Sequence, residues 1–335
     1  MKKIRVAING FGRIGRAFFK VARERREVEI VAVNDLGSVE NFAYLLKYDS
    51  VYGISDLDIK ANAKNNSLVI DGQEIAFLTE KDPAKLPWKK LDIDVVVEST
   101  GLFASAEKSQ AHVVAGAKRV VITAPIKDGQ TVLVGMNESK LESCQISSNA
   151  SCTTNAGSPL IVILDEALGI EKAILNTVHA YTASQTLVDG LSKKDFREGR
   201  AAAQNIVPSS TGAAIAVTKV LPRLEGKFDG ISMRVPVVAG SIVDVTFVSK
   251  RDTTVEEVNS ILKKASAEPR WNGIFTVTEE NLVSSDIIGN RHASIADLSF
   301  TRVVGGNLVK VLAWYDNEMG YVHTLVEHVI KAGRL

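Results

Sequence analysis

Cysteine is almost missing from this chain. Its 335 residues hold two, Cys144 and Cys152. Two thiols this close together make no disulfide framework. Their scarcity suits a reducing compartment, and a cytoplasmic location is the expectation. Long apolar runs are missing as well. The longest, such as LIVIL at 160–164, fall far short of the roughly 20 residues a membrane helix needs. The first residues, MKKIRVAING, carry charge with no apolar stretch behind it, so no signal peptide is expected. Excess charge of either sign is missing too. Forty Lys and Arg face 39 Asp and Glu, a net charge of +1, which excludes the electrostatic footprint of a nucleic-acid or membrane-surface binder. The basic cluster RERR at 23–26 reads as a solvated helix end. Clustered metal ligands are missing: the five His are scattered, and His323 and His328, five apart, do not share a helix face. No metal is expected. There is no low-complexity segment and no fixed-period repeat.

What is present is a large apolar fraction, 45%, in a chain too long for one ordinary domain. Two domains are expected. The chain opens with alternating Ile4, Val6 and Ile8, then NGFGRIGR. Ile14, Ala17, Phe18, Val21 and Ala22 follow at helical spacing, and EIVAVND at 29–35 reads as a second buried strand. DVVVES at 94–99 and RVVITA at 119–124 fit buried parallel strands, with a helix between them ending at Gly116. SLVIDGQEI at 67–75 carries an Asp-Gly hairpin turn. After Cys152 the character changes. GAAIAVTKVLPRL reads as a helix, GISMRVPVVAGSIVDVTFVSKR as alternating strands, TTVEEVNSILKKASA as a Thr-capped amphipathic helix, and RVVGGNLVKVLAWYD as a hairpin. The fold class is therefore α/β: a dinucleotide-type parallel domain, then an α+β domain with a mainly antiparallel sheet. The last helix carries Val322, Leu325, Val326, Val329 and Ile330 on one stripe. The polar segment 182–208 is long and poorly periodic, which in compact domains points to function.

Gly10, Gly12 and Gly15 spell G-x-G-x-x-G between a strand and a helix, and the acidic Asp35 ends the next strand. That context is what a dinucleotide site requires: glycines for a tight turn and close approach to pyrophosphate, and a helix N-terminus for its charge. A carboxylate at 35 accepts from an adenosine ribose and repels a 2′-phosphate, so NAD is favoured over NADP.

NASCTTNAGSPL at 149–160 places Cys152 at a strand-to-helix junction among small polar residues. A helix N-terminus favours thiolate, so a lowered thiol pKa and a nucleophilic role are expected. Cys144, in LESCQI, reads as structural. A reactive thiol needs a base. His179, at the end of the apolar strand in NTVHAYTA, follows by about one helix and one strand, a return that would bring both to one sheet edge.

INGFGRIGR, ASCTTN, TVHAYT, QNIVPSSTGAA, MRVPV and WYDNEMGY together resemble phosphorylating glyceraldehyde-3-phosphate dehydrogenase, from about Ile4 to the final helix. The resemblance implies a Rossmann-type NAD-binding domain over 1–150, a catalytic α+β domain over 151–316, and a C-terminal helix, 317–335, returning to the first. It implies oxidation of glyceraldehyde 3-phosphate by NAD with inorganic phosphate, giving 1,3-bisphosphoglycerate, by a homotetramer. Cys152 would form the hemithioacetal and thioester, with His179 as base. Cofactor contacts would come from Gly10, Gly12, Arg13, Ile14, Asp35, Lys81, Thr123 and Asn317. Substrate and phosphate would meet Ser151, Thr153, Thr182, Thr211, Gly212 and Arg234.

The chain departs from the family pattern in three places. Ala156 stands where many members have a second cysteine. Glu198 lies between Arg197 and Arg200, where many bacterial members are basic. Gly190-Leu191 stands in the long loop where NAD-specific bacterial members often have Leu-Pro. Two other readings stay open on sequence: erythrose-4-phosphate dehydrogenase, which usually has Glu at the position of Asp35 and lacks YTAS after the His, and a catalytically silent redox-sensing or binding homologue.

Overall fold

The computed structural model describes residues 2–192 and 195–335; Lys193 and Lys194, inside the long polar segment, lie outside the described residues. The chain forms two compact units. One comprises the chain up to Ala150 together with Thr324–Leu335, the other Ser151–His323.

The first unit begins with β1 (Ile4–Asn9), α1 (Arg13–Arg23) and β2 (Val28–Asn34), the two strands pairing in parallel. Then come α2 (Val39–Lys47), the small pair β3 (Tyr48–Asp49) and β4 (Gly53–Ile54), β5 (Ile59–Asn62), β6 (Ser67–Ile70) and β7 (Gln73–Leu78). β8 (Val95–Glu98), α3 (Ala106–Val114), β9 (Arg119–Ile122), β10 (Gln130–Thr131) and β11 (Ile146–Ser148) complete it. The sheet runs β10-β11-β9-β8-β1-β2-β7-β6-β5. Pairing is parallel from β10 to β7 and antiparallel in the last two steps. The central strands are covered on both faces, which is why they read as continuous Val and Ile: Val95, Val96, Val97, Val120 and Val121 are all buried. The Asp71-Gly72 turn takes positive φ at both residues, 49° and 79°, the backbone a two-residue hairpin needs.

The second unit contains α4 (Cys152–Leu168), β12 (Ile170–Ala180), β13 (Val207–Ser210), α5 (Ala213–Thr218), β14 (Phe228–Val235) and β15 (Ser241–Ser249). α6 (Val255–Ser266), β16 (Phe275–Thr278), β17 (Ser294–Val304) and β18 (Leu308–Tyr315) follow, and then α7 (Met319–Gly333), whose later turns belong to the first unit. Its sheet runs β13-β14-β12-β15-β18-β17-β16. Among the described residues, only β12 with β14 and β16 with β17 pair in parallel in this sheet. α4 is buried on nearly every side and packs on α6, β15 and β17. That all-round burial makes it a core helix rather than a surface one.

Two expectations need correcting. The helix expected through 212–224 ends at Thr218, and Pro222–Leu224 forms a separate 3-10 turn, because Pro222 cannot continue the ladder. The segment 182–208 is not irregular throughout. Phe196–Gly199 is a 3-10 turn, and from Val207 the chain is already β13. Its two limbs bond to each other: Thr186 N–H donates to the Glu198 carbonyl at 3.3 Å and Gly190 N–H to that of Gly199 at 2.8 Å. A Cβ on Gly199 would lie 2.3 Å from the Gly190 oxygen, so this approach requires glycine.

Candidate active site

In the first unit, the glycine turn follows β1 directly. Gly10 has φ +94°, and a Cβ there would sit 2.6 Å from the Thr100 nitrogen. A Cβ on Gly15 would lie 2.1 Å from the Gly10 oxygen, whereas at Gly12 it would meet nothing within 4 Å. Two glycines thus close the turn, and the third leaves open space at the N-cap of α1. That space belongs to a cleft of about 280 Å³ lined by Gly10, Gly12, Asp35, Lys81, Ser99 and Thr100, among others. A dinucleotide fits this donor set: bare backbone at a helix start for phosphate, and an acidic side chain for ribose. Asp35 lies one residue past β2. Its Oδ2 accepts from Phe11 N–H at 2.6 Å and its Oδ1 from Leu36 N–H at 2.7 Å, so the carboxylate also ties the glycine turn to β2.

Arg13 opens α1, with Ile14 behind it, and donates to Asp49 at 2.9 Å. Burial pushes the Asp49 carboxyl up, but the Val51 N–H and the Arg13 guanidinium outweigh it and leave the group below its usual range. Thr123 follows β9, where its N–H donates to the Glu98 carbonyl at 3.0 Å, and it does not line the cleft.

In the second unit, Cys152 is the first residue of α4 and His179 the next-to-last of β12. The helix and strand expected between them bring Sγ to 3.2 Å from His179 Nε2. Ser151 is the N-cap, accepting from Thr154 N–H at 3.1 Å. Just before it, Ala150 takes a left-handed φ of 55°, a strained position for a residue with a Cβ. Arg234, paired with His179 in the β12–β14 register, places Nη1 2.7 Å from His179 Nδ1 and 3.3 Å from the Ala180 carbonyl. Nδ1 itself lies 2.7 Å from that carbonyl. The nitrogen therefore stands between a group that only donates and one that only accepts. Its tautomer is set by which partner it takes.

The expectation of a lowered thiol pKa is not met. Cys152 is half-buried. Desolvation pushes its thiol up, against the opposing pull of the Arg234 charge and the Thr153 N–H. His179 goes the other way: burial, and then Arg234, bring it down to about 3. Both effects favour a neutral thiol beside a neutral imidazole. The helix start was visible in sequence; the burial was not. Cys144, half-buried, donates to the Lys140 carbonyl at 3.4 Å.

The remaining expected residues sit as follows. Thr153 Oγ1 lies 3.0 Å from the Tyr315 hydroxyl. Thr182 Oγ1 lies 3.1 Å from Ser184 Oγ, and Thr211 Oγ1 accepts from Ala213 N–H at 3.2 Å, with Gly212 between them in sequence. Asn317 is buried, its Oδ1 accepting from Gly240 N–H at 3.2 Å and from Ser241 Oγ at 3.1 Å. Sequence reasoning missed Tyr315 and Ser241. Tyr315 stacks edge-on against His179, centroids 5.8 Å apart, and its hydroxyl also meets Thr177 Oγ1 at 2.8 Å. It lies inside the WYDNE motif, two residues before Asn317. Ser241 Oγ also accepts from Ala180 N–H at 3.1 Å, steadying the end of β12. Among the described residues, no group of His, Cys, Asp and Glu could hold a metal ion, and no helix is long and apolar enough to cross a membrane.

A nucleotide-binding parallel sheet in one unit and an imidazole-paired thiol in the other define a class, the thiol-dependent dinucleotide oxidoreductases. Comparison narrows it. The family profile described as glyceraldehyde 3-phosphate dehydrogenase, NAD binding domain, matches residues 4–106, and that of the C-terminal domain matches 151–317. A glyceraldehyde-3-phosphate dehydrogenase of Borreliella burgdorferi is 50% identical over 332 residues, 97% of this chain and 98% of that one. One from Kluyveromyces lactis is 49% identical over 330 residues (97% and 99%), and one from Buchnera aphidicola 48% over 327 (97% and 98%). The chain belongs to the glyceraldehyde-3-phosphate dehydrogenase family. It is a glycolytic oxidoreductase with NAD as its cofactor.

Proposed function

We propose that the chain couples oxidation of glyceraldehyde 3-phosphate to capture of inorganic phosphate, giving 1,3-bisphosphoglycerate through a thioester on Cys152. The observation that carries this is the 3.2 Å contact between Cys152 Sγ and His179 Nε2 at the start of a buried helix. Residues 1–150 hold the cofactor, 151–316 carry the chemistry, and 317–335 form the returning helix.

Cys152 Sγ attacks the aldehyde carbon as His179 Nε2 takes the thiol proton and passes it to the aldehyde oxygen, giving a hemithioacetal and a neutral imidazole again. A neutral thiol beside a neutral base suits this step, because the proton moves only as the S–C bond forms. Arg234 recognises a phosphate group of the substrate with its charged fork. Once it does, Ala180 is left as the partner of Nδ1. Nδ1 then carries the ring proton and Nε2 is the base. Bound NAD supplies the acceptor for the hydride that leaves the hemithioacetal carbon. His179 takes the hydroxyl proton in that step, and the product is a thioester. Inorganic phosphate then attacks the acyl carbon and Cys152 leaves. Ser151, Thr153, Thr182, Thr211 and Gly212 offer hydroxyl and N–H donors to the two anions. Gly10, Gly12, Arg13, Ile14, Asp35, Lys81 and Thr123 hold the cofactor. Asn317 meets its carboxamide, with the oxygen end of its own amide fixed by Gly240 and Ser241.

The chain works as a homotetramer. Leu187, Val188, Leu191, Phe196 and Ile206 stand exposed in the long segment, and Ile174, Ile231, Phe300 and Val304 on the sheet. Exposed apolar groups in such numbers mark surfaces that associate. The free thiols and balanced charge support a cytoplasmic location.

The test is NADH formation from the triose phosphate, with and without inorganic phosphate, in wild type and Cys152→Ser. Phosphate-dependent turnover that disappears in the variant is expected. Turnover indifferent to phosphate would overturn the proposal.

A further inference from the structure

Glu98 is a buried carboxylate that the chemistry above does not use. It is the last residue of β8, 2% exposed, and does not line the cofactor cleft. Four donors converge on it. Oε1 accepts from Thr100 N–H at 2.8 Å and from the Thr100 hydroxyl. Oε2 accepts from Asn9 Nδ2 at 2.6 Å and lies 3.0 Å from His112 Nε2.

The His112 tautomer follows from its other neighbour. Trp88 Nε1, which can only donate, lies 3.0 Å from His112 Nδ1. Nδ1 therefore accepts, and the ring proton sits on Nε2, aimed at Glu98. The chain of bonds continues on the far side. Asn9 Oδ1 accepts from Asn34 Nδ2 at 2.7 Å, and Asn34 exchanges two further bonds with the Glu80 backbone, each 2.9 Å. Trp88, His112, Glu98, Asn9 and Asn34 are all buried.

These residues form a belt across four adjacent strands, in the sheet order β8-β1-β2-β7. Glu98, Asn9 and Asn34 each end their strand, and Glu80 follows β7. The residues just beyond each belt member are Ser99 and Thr100, Gly10, Asp35 and Lys81, and all of them line the cleft. Every loop that lines this cleft thus leaves the sheet from a residue in this belt.

We propose that Glu98 is a positioning residue for NAD. It acts through Thr100 and Asn9 to hold the glycine turn and the β8 loop at the separation the cofactor requires, with Trp88 and His112 fixing its orientation. Only a side chain with two acceptor oxygens can serve this belt. An amide at 98 has one oxygen and one NH₂ end, so one pair of incoming donors would face another donor.

The experiment uses the full chain and compares Glu98→Gln with wild type. NAD affinity is read by calorimetry without substrate, so the result does not depend on whether the triose is turned over. Alongside it are measured the KM for NAD, kcat, the iodoacetamide alkylation rate of Cys152 without NAD, and the melting temperature. We expect NAD affinity to weaken about ten-fold, with kcat and alkylation within about two-fold of wild type. Should Glu98→Gln not fold, Trp88→Phe leaves the carboxylate in place and removes the indole N–H from His112 together with part of the buried ring, a packing loss that the melting temperature reads separately. There the expected loss is smaller, about three-fold, and again confined to NAD. An unchanged NAD dissociation constant in whichever variant folds would overturn the proposal. So would equal losses in affinity, kcat and alkylation, which would mark a general structural role.

Discussion

The two units treat buried polar groups in opposite ways. Around Glu98, each donor and acceptor finds a partner of the complementary kind, from the Trp88 indole to the Glu80 backbone. Around Cys152, burial drives the thiol up and the imidazole down, and His179 Nδ1 is contested between Arg234 and Ala180. The first arrangement holds a shape. The second leaves His179 Nδ1 between a donor and an acceptor. A binding cleft gains from satisfied, rigid groups, whereas a reacting centre gains from groups whose best partners are absent in the resting chain.

This contrast can be broken from either side. The largest effect is expected at the base. His179→Asn keeps a polar side chain but cannot take the thiol proton, so kcat should fall about 10²- to 10⁴-fold, with NAD affinity unchanged by calorimetry. Arg234→Lys keeps the charge but loses the fork. The KM for the triose phosphate should rise about ten- to a hundred-fold by steady-state kinetics, again without effect on NAD. Asp35→Asn belongs to the other side. Its NAD affinity should drop about ten-fold while its ratio of NADP to NAD turnover rises, because the repulsion of a 2′-phosphate is gone.

The smallest expected effect concerns stability rather than turnover. His328, in the first unit, lies between Ser147 Oγ at 2.8 Å and Asn149 Oδ1 at 3.1 Å, and burial brings it down to about 3. An unfolded His takes a proton below about 6.5, while the folded one refuses it until about 3. Between those values the unfolded chain binds more protons, so stability falls as the pH drops through that window. His328→Gln removes one such group. Its stability should depend less on pH between 6.5 and 4, by up to about 1.4 kcal/mol per pH unit. His179 adds a second contribution of the same sign, so the variant's slope should shrink but not vanish in chemical denaturation at a series of pH values.

The same contrast decides what could be read from the sequence. The opening βαβ unit, the Asp-Gly hairpin and the β17–β18 hairpin all carry local signals, in period, glycine and turn chemistry, and each stands where it was expected. Cys152 and His179 were legible because the spacing of one helix and one strand is also local. Glu98 was not. Its meaning depends on β8 lying beside β1, and sheet order is not written in any short stretch. DVVVES looked like a buried strand with a polar end and nothing more. The environment of the thiol is illegible in sequence for a related reason: a helix start is local, but the groups that act on Cys152, namely His179, Arg234 and Tyr315, come from strands far along the chain. The α5 region failed on a local signal that was present and underweighted, the proline at 222.

The covalent intermediate on Cys152 can be weighed directly. Enzyme, NAD and glyceraldehyde 3-phosphate are mixed without inorganic phosphate, quenched in acid, and digested for mass spectrometry. One glyceroyl phosphate group is expected on the peptide carrying Cys152, none on that carrying Cys144, and it is lost when phosphate is added before the quench. NADH formed in stoichiometric amount with Cys152 unmodified would contradict the covalent intermediate.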